Sequence, residues 1–170
     1  MRSLILALTL FAAPAQAACQ PDGEIFSCQI GAKTLEVCHE GDALVYRFGP
    51  DGKPELTLSA PLETVDYQPW SGFGRNRFYT VTFQNNGLAY QVRSEFDRNG
   101  RPRGIDGGVM VLDGTTTVVD LTCNRGSVTR ELDGIGGLKT DIGQCFDQEN
   151  AIWRDGACGR NPEFCACPDP

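Results

Sequence analysis

The chain has 170 residues, with 15 basic side chains against 22 acidic ones, a formal net charge of −7, eight cysteines and a single histidine. This acidity excludes nucleic-acid binding, because most of the surface would repel phosphate. After the N-terminal segment no apolar run approaches the roughly 20 residues that a membrane-spanning helix needs.

Residues 1–17 read as an export signal. Arg2 provides a short positive segment, LILALTLFAA an apolar stretch, and Ala15-Gln16-Ala17 a small-x-small cleavage site. Gln16 stands where a lipoprotein signal carries an aliphatic residue, so the expected product is a soluble periplasmic or secreted protein. Cys19, Cys28, Cys38, Cys123, Cys145, Cys158, Cys165 and Cys167 all lie beyond that site. An even number of cysteines after an export signal predicts four disulfides formed in an oxidising compartment. Loss of Arg2 leaves 14 basic against 22 acidic residues, a net charge of −8.

Residues 18–124 form one domain of short apolar runs separated by turn residues. Strands are predicted at 24–30, 34–39, 43–48, 55–60, 77–84, 88–95, 107–112 and 115–123. The clearest element is the hairpin FYTVTFQNNGLAYQVRSE. Asn86-Gly87 suits a two-residue type I′ turn, which needs φ > 0 at both central positions. That placement pairs Phe83 with Tyr90, Val81 with Val92 and Tyr79 with Ser94. Tyr79, Val81, Phe83, Tyr90 and Val92 then share one face, whereas a one-residue slip would scatter the aromatics. Asp113-Gly114 is a second type I′ signal. The fold class is therefore all-β: an antiparallel meander of about eight strands, closed as a barrel or folded as a sandwich, stapled by disulfides and followed by a cysteine-rich tail.

Side-chain alternation sorts the cysteines. Phe26, Cys28 and Ile30 share a face, as do Val119, Leu121 and Cys123, whereas Cys38 lies opposite Leu35 and Val37. Cys28 and Cys123 are expected to meet inside, leaving Cys38 for Cys19; a Cys28–Cys38 bridge would need a bulge. Residues 125–170 comprise a glycine-rich linker, or a loop lying on the barrel, and a tail with four cysteines. Cys165 and Cys167 are too close to pair comfortably, so each should bridge to Cys145 or Cys158.

No cofactor or metal is expected. The spacing of Cys145, Cys158, Cys165 and Cys167 fits no common zinc pattern. His39 reads as an exposed turn residue, because no nucleophile or orienting acid accompanies it. Asp97-Arg98-Asn99-Gly100 places its glycine wrongly for a calcium loop. Asp133-Gly-Ile-Gly-Gly137 lacks the preceding strand and following helix of a dinucleotide site. Acids are numerous, but none are paired by spacing in the manner of a glycosidase.

The strongest pointer to a binding site is a set of arginines. From Ser71 to Ile105 six arginines face only Glu95 and Asp97, a local charge of +4 that leaves −12 for the rest. The hairpin brings its two flanking loops to the end opposite the Asn-Gly turn. Trp70, Ser71, Phe73, Arg75, Arg77, Arg98, Arg101 and Arg103 therefore converge, and arginine beside aromatic residues is typical of interface anchors. The rival reading is that these arginines neutralise the protein's own acids and Trp70 plugs the end of the barrel.

FSCQIGAKTLEVC (26–38), the W-x-G-x-G-R-N of residues 70–76 and a closing LTC resemble a family of small exported bacterial β-domain proteins. The resemblance spans residues 19–123 and implies fold and compartment only. More distantly the chain is similar to the periplasmic C-type lysozyme inhibitors, which enter the lysozyme cleft with a Ser-Gly-x-x-Tyr element. Ser71-Gly72 is present here, but Arg75 stands at the tyrosine position and the next tyrosine is Tyr79. The expected function is thus a non-enzymatic binding or inhibitor module directed at a protein or an anionic envelope component. The alternative is an envelope-glycan hydrolase with unassigned carboxylates.

Overall fold

The computed structural model describes residues 18–20, 22–99, 104–157 and 167. The proposed signal segment, Arg101, Arg103, Cys158 and Cys165 lie outside the described residues. The chain folds as two antiparallel meanders and a small terminal hairpin. β1 (Glu24–Ile30), β2 (Lys33–Glu40), β3 (Ala43–Gly49) and β4 (Leu56–Pro61) form the first sheet in sequence order. β5 (Asp66–Gln68), β6 (Asn76–Asn85), β7 (Leu88–Asp97), β8 (Asp106–Asp113) and β9 (Thr116–Thr122) form the second. The helix α1 (Gly134–Asp141) follows, and then β10 (Gln144–Asp147) pairs with β11 (Ile152–Asp155).

The hairpin register is the one that the turn chemistry dictates: Phe83 faces Tyr90, Val81 faces Val92 and Tyr79 faces Ser94. Asn86 and Gly87 have φ of 50° and 83°. The second hairpin differs from expectation. Asp113 pairs with Thr116, so its turn residues are Gly114-Thr115, and only Gly114 has positive φ, at 57°. That is the pattern of a type II′ turn, in which glycine occupies the first central position.

The two sheets share one core. Tyr46 of β3 packs against Phe83 of β6 and Tyr90 of β7, with ring centroids 5.6 and 5.9 Å apart. Phe26, Leu35, Val37, Leu44, Val81 and Val92 are fully buried around them, and each contributes about 1.5–3 kcal/mol by leaving water. The stretch after β9 runs along β1 and joins the sheets there. Asn124 N–H donates to Gln29 O at 2.6 Å and Thr129 N–H to Ser27 O at 3.0 Å.

Three disulfides lie among the described residues. Cys28–Cys123 crosses the interior from β1 to the end of β9, and Cys19–Cys38 holds the N-terminal segment on the outer face of the first sheet. The first is the pair that side-chain alternation places inside, and the second is the pair left over once it is made. Cys145–Cys167 ties Cys167 to β10 and commits two of the four cysteines considered for zinc to a covalent bond. Val119 departs from the alternation. It is 41% exposed, because β9 is an edge strand with a register shift beside it.

The glycine-rich stretch does more than link. Leu132 and Ile135 are fully buried in the core, and Leu132 N–H donates to Ser94 Oγ at 2.9 Å. α1 and β11 dock on β5, where Trp153 stacks on Tyr67 and its Nε1 donates to Tyr67 O at 2.9 Å. Lys139 of α1 has no exposed surface. Its Nζ donates to Leu62 O at 2.9 Å, Glu63 O at 3.3 Å and Gln144 Oε1 at 3.2 Å.

Candidate functional site

Asn76 of β6 faces Asp97 of β7, so the loops before β6 and after β7 leave from one end of the second sheet. The first loop is shaped locally. Gly72 and Gly74 take φ of 85° and 89°, a left-handed conformation costly for other residues. The two reversals turn Phe73 outward, and it is 81% exposed. Trp70 turns the other way. It packs on the rim of the core, and its Nε1 donates to Phe73 O at 2.8 Å.

The second loop clamps the first. Arg98 N–H donates to Arg75 O at 3.0 Å, and the Arg98 guanidinium lies 4.8 Å from the centre of the Trp70 ring. Cation–π contacts of this kind contribute about 0.5–1 kcal/mol at exposed sites. Arg75 grips Asp97 with two hydrogen bonds, one from Nε to Oδ1 at 2.7 Å and one from Nη2 to Oδ2. Asn76 donates to Glu95. Below them is a cleft of about 280 Å³ lined by Arg75, Glu95, Phe96 and Asp97.

Arg77 points along the sheet toward the glycine-rich stretch. Its guanidinium stacks on Phe96 at 4.9 Å and pairs with Glu131 at 2.5 Å. Burial raises the Glu131 carboxyl above its ordinary range; Arg77 opposes that rise and Asp133 adds to it. Arg93 leaves the cluster altogether and pairs with Asp120 at 2.8 Å.

The fold thus gathers Trp70, Ser71, Phe73, Arg75, Arg77 and Arg98 at one end. Arg75 and Arg77 face the protein's own acids, and Arg98 covers Trp70. What this end presents outward is Phe73, its one strongly exposed apolar side chain among the described residues, with the exposed Ser71, Arg75 and Arg98 beside it. The rival reading of the sequence, that these arginines neutralise the protein's own acids, holds for Arg75 and Arg77; Glu131 could not be named in advance because it lies 54 residues from Arg77.

His39 is not an exposed turn residue. It is half-buried in β2 opposite Leu44, with Gly41-Asp42 making the turn beyond it. Comparison with family models, with curated proteins and with solved structures gave no match. No helix among the described residues is long and apolar enough to cross a membrane.

Proposed function

We propose that the protein is an exported, periplasmic or secreted, binding module that engages a partner protein through the loop at 69–75. The observation that carries this reading is Phe73, a large apolar side chain held outward on a loop fixed by the Trp70–Phe73 hydrogen bond and the Arg98–Trp70 stack. A loop ordered before binding loses little entropy on association, and an exposed aromatic on such a loop serves as an anchor. The internal pairing of Arg75 and Arg77 favours a protein surface over an anionic polymer. In an inhibitor-like mode Phe73 would be the inserted residue, because Arg75 is committed to Asp97.

The test is binding of the purified protein to immobilised C-type lysozyme and to isolated peptidoglycan sacculi. Phe73→Ala is expected to weaken binding to lysozyme at least tenfold, about 1.4 kcal/mol, with an unchanged thermal midpoint. Equal binding by the variant, or no binding by the wild type, overturns the reading. Release of muropeptides from the sacculi would support the hydrolase alternative instead.

A further inference from the structure

A second face, away from the loop at 69–75, carries a groove of about 500 Å³. Its floor is apolar, made by Leu62 after β4, Leu138 of α1 and Ile142, which is 47% exposed. Its rim carries Asp42 from the β2–β3 turn, Glu63, Asp141 at the end of α1 and Asp155 of β11. All four carboxylates are exposed, and none forms an ion pair among the described residues. This is the opposite of the arginine loops, where acids and bases satisfy one another. The neighbouring cation, Lys139, is buried beneath with its ammonium committed to three internal oxygens, so its charge is not presented outward. The C-terminal end of α1 also reaches the groove at Asp141 and Ile142, and a helix C-terminus adds partial negative charge. A smaller cavity of about 330 Å³ shares His39 and Leu138 with this groove; its acids Asp22, Glu24, Glu131 and Asp133 stand beside Arg130, so the uncompensated rim belongs to the larger groove alone.

An apolar floor within an uncompensated carboxylate rim selects for a ligand with matching chemistry on both counts. A purely ionic ligand would leave the floor wet, and a purely apolar one would leave four carboxylates to be desolvated without partners. We infer that this groove is a docking site for a basic, amphipathic peptide segment, one that places apolar side chains on Leu62, Leu138 and Ile142 and lysine or arginine against the rim. The inference is independent of the role of Phe73.

The experiment uses the full mature chain and a short fluorescent peptide of alternating lysine and leucine, with anisotropy read at low and physiological ionic strength. Asp42→Asn combined with Asp141→Asn is expected to weaken binding roughly tenfold, and Ile142→Ser to weaken it severalfold at both salt concentrations. Asp51→Asn combined with Asp113→Asn removes the same charge elsewhere and should leave binding within about twofold. An equal loss in that control would show attraction by the overall negative charge and overturn the proposal. So would equal affinity for an all-lysine peptide, insensitivity to Ile142→Ser, or a comparable loss in Phe73→Ala.

Discussion

A lysine without exposed surface must find all its partners inside the protein, and Lys139 finds three oxygens together with the face of Trp153, 5.5 Å from its Nζ. Burial pulls its pKa down to about 8, against the opposing influence of Asp66 and Glu63. Between about pH 8 and its unfolded value near 10.4 the unfolded chain therefore binds more protons at this site than the folded one, and this group's contribution to stability rises with pH. Lys139→Met abolishes that titration. The stability difference, wild type minus variant, should shift toward the wild type by at most about 3 kcal/mol between pH 7 and pH 10. Taking the difference cancels the ionisation of Tyr46, Tyr67 and Tyr79, whose pKa values burial raises in both proteins. A pH-independent difference in thermal unfolding would show that Lys139 is not desolvated. This lysine could not be recognised in the sequence, where GIGGLKTD shows no apolar period and lysine is ordinarily an exposed residue.

At the scale of elements, legibility followed the sharpness of the local signal. The β6–β7 hairpin could be derived to the residue because the Asn-Gly turn and the aromatic alternation fix its register independently. β5 has only three residues and β10 and β11 four each, too few for alternation to register. β3 is buried on both faces. Arg47 lies in that burial, its Nη1 2.9 Å from Cys38 Sγ and its Nη2 3.1 Å from Glu40 Oε2, because the Cys19–Cys38 bond brings the N-terminal segment there. The convergence of the arginine loops was legible for the same reason as the hairpin. Their neutralisation by the protein's own acids was one of the two readings the sequence allowed, but Glu131, 54 residues from Arg77, could not be named as a partner from any local pattern. β8 and β9 approach closely at Gly108, where a Cβ would stand 2.2 Å from Leu121 O on β9. Gly108→Ala should therefore separate these strands and cost about 3 kcal/mol, measured as a lower urea midpoint. A loss below about 1 kcal/mol would mean that β9 shifts freely at this edge.

For the whole molecule, the two disulfides of the sheets differ in what they constrain. Cys28–Cys123 spans 95 residues and Cys19–Cys38 spans 19. Loop-closure entropy in the unfolded chain assigns about 4–5 kcal/mol to the longer bridge and about 3 kcal/mol to the shorter. Cys28→Ala/Cys123→Ala should therefore lower the guanidinium midpoint more than Cys19→Ala/Cys38→Ala, and the reverse order would contradict the entropic account. Alternation pointed to Cys28–Cys123 and left Cys38 for Cys19, whereas the mutual packing of the sheets depends on contacts such as Tyr46 with Phe83 that no local pattern encodes.

The same two bonds are interlaced in chain order: the first cysteine joins the third, and the second joins the fourth. Oxidation in order of appearance from the N-terminus would couple Cys19 to Cys28 and trap the chain in a non-native loop. Cys19–Cys38 needs only the N-terminal segment and β2 in place, whereas Cys28–Cys123 needs β1 and the end of β9 brought together. A Cys19–Cys28 bond formed first must be undone by thiol–disulfide exchange before either can form. The long bond therefore records the packing of one sheet on the other, and the short one records only the seating of the N-terminal segment on β2.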